Sequence, residues 1–175
     1  MAALPARRII VGMTEYTRDE LLKELQRSQK QVVKLLAVIA PVQDWQPDPV
    51  EWSFRFLAAH LASLEQTCHL PRVIRIASGE TPTLDLYSNT AADYQHSDVH
   101  KSLKRWVAVR KELLDFVKRL TPRQLTYIGI HESLGPITIV ELLHEILEQD
   151  QGNLRHVRQL ILAYQEDHQP TRETL

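Results

Sequence analysis

The sequence predicts an all-α protein, a four-helix bundle. Four long stretches carry apolar residues at helical spacing. No stretch shows sustained period-two alternation, the signature of a half-buried strand. Five glycines against nine prolines fit helices joined by stiff connections better than a glycine-rich β protein.

The first helix is expected from Thr17, where Thr17 and Glu20 form the T-x-x-E of a capping box. Residues 1–16 before it read as an N-terminal arm. Its seam is Leu21, Leu25, Ser28, Val32, Leu35 and Ile39, stepping by four and three, and Pro41 stops it. The loop 41–52 is pinned by prolines, and its tryptophans Trp45 and Trp52 are placed to close one end of the bundle. Ser53 is a suitable N-cap for the second helix, whose inner face is Leu57, His60, Leu61, Leu64 and Cys68. Pro71 should kink or interrupt that helix, and Gly79 should end it. Residues 79–97 form a connection long enough to cross the bundle, so the second and third helices need not be antiparallel.

The third helix, from about Asp98 to Leu120, has the seam Val99, Leu103, Trp106, Arg110, Leu113, Val117 and Leu120. Residues 121–137 are expected to loop back through Tyr127, Gly129, His131 and Gly135 to the fourth helix. That helix opens on a second capping box, Thr138 and Glu141, and runs to Tyr164. The bundle then spans 17–164, and residues 165–175 are a polar tail.

Several polar residues stand where these seams should be apolar. They are His60, Arg110, and, on the fourth helix, Gln149, Asn153 and His156. An unpaired buried polar group costs roughly 1–3 kcal/mol, so such a set needs partners or a ligand. Arg110 is expected to point inward and pair with an acid, Glu65 being the first choice. Inward polar side chains from facing helices are also how bundles build ligand sites, with Gly152 thinning the fourth helix beside them. The reading is therefore an internal pocket for a small molecule at His60, Gln149 and Asn153, with Arg110 and His156 nearby. The structural alternative is that His60 is a hydrogen-bonded core histidine and that Gln149 and Asn153 only fix helix register.

Other classes are set aside. A net charge of −1 gives no basic field for nucleic acid and no polybasic membrane patch. The short run Ile9–Val11 is too brief for a signal core, and no run reaches the ~20 apolar residues of a membrane span. The single cysteine, Cys68, cannot close an intramolecular disulfide, which fits a cytoplasmic protein. His96 and His100 have i, i+4 spacing but stand beside a polar loop and read as solvated.

Four segments, in order, resemble those of the DinB/YfiT-like superfamily. They are TRDELLKELQRS, DWQPDPVEWSFRFLAAHLASLE, WVAVRKELLDFV and IGIHESLGPITIVELLHEILEQD. The resemblance covers about residues 17–162. It implies an up-down-down-up order with a long crossover between helices two and three, and a homodimer. It also implies a divalent zinc or nickel ion on three histidines. One of those positions is His60. The other two fall on Gln149 and Asn153, so the metal site is read as degenerate, with His60 left as a weak ligand. The resemblance thus implies a thiol-dependent transferase or hydrolase with a degenerate metal site, or alternatively a non-catalytic small-ligand-binding protein.

Overall fold

The computed structural model describes residues 16–85, 94 and 97–169. The arm up to residue 15 and His96 lie outside the described residues. Among the described residues there are six α-helices: α1 (Arg18–Ile39), α2 (Phe54–Leu64), α3 (Leu70–Ala77), α4 (Val99–Lys118), α5 (Pro122–Leu125) and α6 (Ile139–Asp167). The four long rods are α1, α2 with α3, α4 and α6.

Both capping boxes form. Thr17 accepts from the Glu20 amide while Glu20 bonds the Thr17 amide, and Thr138 and Glu141 do the same at α6. Ser53 caps α2 by accepting from Phe56 N at 3.2 Å. α6 continues to Asp167, three residues past the expected end.

The direction of each rod follows from two core clusters. One holds Leu21 and Leu25 of α1, Val73 and Ile76 of α3, Leu113 and Val117 of α4, and Leu142 and Ile146 of α6. The other holds Val32 and Leu36, Phe54 and Leu57, Val99 and Leu103, and Val157 and Leu160. α1 and α6 therefore run from the first cluster to the second, while α2–α3 and α4 run the opposite way. That is the up-down-down-up order. Trp45 closes the second end: it stacks on Phe54 at 5.8 Å, meets Tyr164 edge-on at 5.3 Å, and donates from Nε1 to Asp167 at 3.1 Å.

Pro71 does not break the second rod. The turn before it, Glu65–His69, widens into a π-helix, and Leu70 N reaches back to Glu65 O. A proline ring clashes with the carbonyl four residues earlier and offers no N–H to it; the wider turn accommodates both faults. The rod ends at Gly79, whose φ of 91° is a left-handed conformation that other residues adopt at a cost.

A small three-stranded sheet lies mainly in the segments expected to be irregular connections, 79–97 and 121–137. β1 (Thr83–Leu84) pairs parallel with β2 (Ile128–His131), which pairs antiparallel with β3 (Gly135–Thr138). Four-residue strands are too short for alternation to stand out, and Gly129 hides one inward position. A Cβ on Gly129 would lie 2.9 Å from Ile76 Cδ1 and 3.1 Å from Leu84 Cδ1, both on buried side chains. Gly129→Ala should cost about 1–3 kcal/mol through overpacking, read as a lower urea midpoint at unchanged slope. A midpoint equal to wild type would show that the sheet tolerates a separation from α3.

Among the described residues, no helix is long and apolar enough to cross a membrane.

Candidate functional site

The site is built around the π-turn. Glu65 and His69 are its first and last residues, and both are buried. His69 Nδ1 lies 3.1 Å from Glu65 Oε2, so the ring donates to the carboxylate there. Arg110 enters from α4 and donates to the same carboxylate, Nε to Oε1 at 2.5 Å and Nη2 to Oε2 at 2.8 Å. The expected Arg110–Glu65 pair is therefore present. Arg110 also grips Asp150 of α6, Nη1 to Oδ2 at 2.7 Å and Nη2 to Oδ1 at 3.1 Å, and donates to the Leu25 carbonyl at 3.3 Å. One guanidinium thus ties α1, the π-turn and α6 to α4. The three charged groups are each 1–2% exposed, so solvent screens them little.

The other end of His69 reaches Gln149, Nε2 to Oε1 at 3.1 Å; an amide oxygen only accepts, so the ring donates from both nitrogens, Nδ1 to Glu65 and Nε2 to Gln149. The Gln149 amide nitrogen faces Glu145 Oε1 at 3.4 Å. Glu145 Oε1 in turn lies 3.2 Å from Nε2 of His131, on β2. Nδ1 of His131 accepts from the amides of Ser133 and Leu134, both at 3.2 Å. With that nitrogen accepting, Nε2 carries the hydrogen and donates to Glu145. The polar side chains form one continuous chain: Asp150, Arg110, Glu65, His69, Gln149, Glu145, His131.

Electrostatics splits the two carboxylates on Arg110. Burial pushes Glu65 up, but the Arg110 charge and the hydrogen bonds from His69 and Arg110 outweigh it and bring the carboxyl down to about 2. At Asp150 burial dominates over Arg110 and holds the carboxyl above its ordinary value. Glu65 then contributes stability that is complete above its unfolded value of 4.5 and is lost as pH falls from there toward 2. Asp150 acts in the opposite sense. Acid titration should show the unfolding free energy falling below pH 4.5, with the slope reduced in Glu65→Gln. An identical slope in that variant would place the acid sensitivity elsewhere. Burial pushes the Cys68 thiol up against the pull of Arg72, which fits the reading of Cys68 as a small hydrophobe.

The five residues singled out in the sequence separate into two groups. Arg110 and Gln149 belong to the chain just described. His60 is buried, with its ring 4.7 Å from Trp52 and 6.3 Å from Tyr94. His156, half-buried, approaches the same tryptophan at 6.4 Å. Asn153 is half-buried between the two groups along α6, and Gln149 as a whole residue is exposed.

The inward stripe of α6 is Ile146, Asp150, Leu154 and Val157, not the flank holding Gln149 and Asn153. Stepping by fours and threes from Leu142 follows one edge of a stripe whose true period is 3.6. α1 shows the same drift, with Leu36 and Ala40 buried where Leu35 and Ile39 were expected. Gly152 thins nothing, since a Cβ there would meet only Arg155 Nη2 at 3.8 Å. His69, Asp150, Glu145 and His131 were missed. The spacing of Glu65 and His69 was the one available signal for the first of them.

A family model, the DinB superfamily, matches residues 24–160. The chain belongs to the DinB superfamily. Among solved structures it is similar to YfiT from Bacillus subtilis, described as a probable metal-dependent hydrolase with an unusual four-helix bundle topology. The likeness has a TM-score of 0.73 at 18% identity and covers 90% of this chain and 91% of that one. No curated protein matches.

The metal centre that the DinB resemblance implies does not fit the residues at its positions. His60 is the single imidazole of the three. The Gln149 amide is engaged on both sides, and amide oxygens are poor zinc or nickel ligands beside imidazole. Among the described residues, no three His, Cys, Asp or Glu side chains are grouped to hold an ion.

Proposed function

We propose that this DinB-superfamily chain acts on or binds a small molecule at a site that has exchanged the three-imidazole metal centre for neutral and charged hydrogen-bonding groups. One observation carries the reading. Gln149, where the resemblance puts an imidazole, spends its amide oxygen on His69 and its amide nitrogen on Glu145. A side chain that joins a buried histidine to a carboxylate serves a hydrogen-bonding site. Between the two forms of the reading, a transferase or hydrolase is favoured by the buried Glu65–His69 pair, an arrangement that orients an imidazole for proton transfer. The similarity to YfiT is the reason to keep metal-dependent hydrolysis as the competing reading.

The test is a titration of untagged, chelator-dialysed protein with zinc and nickel, followed by calorimetry and by elemental analysis. The expected result is no tight binding and no metal-dependent rise in Tm. Stoichiometric metal at submicromolar free concentration, lost on His60→Ala, would overturn the proposal in favour of a metalloenzyme.

A further inference from the structure

The Gln149 side chain ends in a planar carboxamide, and its two polar atoms meet opposite demands. A ring nitrogen of buried His69 faces the oxygen, and a carboxylate oxygen of Glu145 faces the nitrogen. Both flanking groups are fixed from behind. His69 is held through Nδ1 by Glu65, which Arg110 locks with two hydrogen bonds. Glu145 is held by His131, whose hydrogen position is set by two backbone amides. Fixed groups of opposite hydrogen-bonding sense, spaced to take a C=O on one side and an N–H on the other, define a receptor for an amide group.

Gln149 itself is not fixed in the same way. The residue is exposed, and its side chain reaches inward from the flank of α6 instead of growing out of the buried stripe. A rotation of its side-chain torsions would carry the amide into water, where its hydrogen bonds are replaced. A second observation points to a ligand richer in donors than Gln149. Among the described residues, Glu145 Oε2 is buried and has no hydrogen-bond partner, although Oε1 of the same carboxylate has two. A buried carboxylate oxygen without a donor is costly, and a further N–H from a bound molecule would satisfy it.

From this geometry we infer that the space filled by the Gln149 carboxamide is a recognition site for a carboxamide-bearing small molecule, and that Gln149 is its built-in occupant. The ligand's carbonyl oxygen accepts from His69 Nε2–H, while the same ring keeps its Nδ1–H on Glu65. Its N–H groups donate to Glu145, one to Oε1 in place of Gln149 and another to Oε2. A carboxylate ligand binds more weakly: it has no N–H to give Glu145, and its charge lies against that carboxylate, which the doubly donating His69 ring offsets only on the other side. The inference rests on the reading of this region as a small-molecule site without a metal centre, and it names the chemical class that site selects.

The experiment is chemical complementation of Gln149→Ala with propionamide, using propionate as the isosteric acid. Binding is followed by the backbone amide signals of Ser133 and Leu134, which report on His131, and by the ring signals of His69. Propionamide should shift them saturably at millimolar concentration in Gln149→Ala and should raise Tm. Propionate should bind at least about tenfold more weakly. Wild type, already occupied, should respond less than the variant, and Gln149→Ala combined with His69→Phe should not respond. Gln149→Ser is the second vehicle if Gln149→Ala is poorly folded. No saturable shift in either variant, or equal responses to amide and acid, overturns the inference. The metal titration above is independent of this result. Tight metal binding would sink the parent reading, whereas weak metal binding without amide rescue would sink this inference alone.

Discussion

Arg110→Met should destabilise the bundle by about 3–5 kcal/mol, the largest effect expected of any single substitution in this protein. The guanidinium is 1% exposed and makes five hydrogen bonds, four of them to Glu65 and Asp150. Methionine fills much of its volume, so the loss is not a cavity. It is the exposure of two buried carboxylates to each other with no cation between them. Neutralising them tests that cause. In a Glu65→Gln, Asp150→Asn background, Arg110→Met should cost much less, because no uncompensated negative charge is left. Urea unfolding of the four proteins at pH 7 measures the coupling. Equal costs in both backgrounds would mean that Arg110 acts through packing, and the charge cluster would lose its assigned role.

Gln149→His together with Asn153→His should raise zinc or nickel affinity by about 100-fold or more. With His60 these substitutions supply three imidazoles, the usual number of protein ligands at a catalytic zinc. The same change removes the bridge from His69 to Glu145, so the metal-free variant should be less stable than wild type by about 1–3 kcal/mol. Added metal should recover that loss, since a ligand bound only to the folded state stabilises it. Calorimetric titration and Tm with and without metal give both numbers. Unchanged affinity would show that the three positions do not converge on one point in this chain, whatever side chains they carry.

Much of the frame was legible from local chemistry. Capping boxes at Thr17 and Thr138 and the cap at Ser53 act within four residues, so a sequence displays them whole. Every expected member of the α4 seam is buried, because its anchors Val99, Leu103, Trp106, Leu113 and Val117 are large and evenly spaced; Ser102 and Leu114 join them on its edge. Arg110 stood out as the one charge in that seam, and a buried cation must find an acid. On α1 and α6 the reading drifted by a residue. Leu35 and Leu36 are chemically equivalent in a pattern, and only contact with the neighbouring rods selects between them. The same drift exchanged Asp150 for Gln149 as the inward residue of α6.

What the sequence by itself determined is the class, the rods, their ends and the need of Arg110 for a buried partner. These depend on backbone hydrogen bonding and hydrophobic spacing, interactions of short range along the chain. What only the tertiary structure decided is the chain of contacts from Asp150 to His131. It joins residues up to 80 positions apart, as in the bond from His69 to Gln149. Two features set it that no spacing rule contains. The π-turn before Pro71 turns Glu65 and His69 inward together, and the β2 strand carries His131 to Glu145. A hydrogen bond is made or lost over a few tenths of an ångström, so its partners are fixed only once the rods have packed.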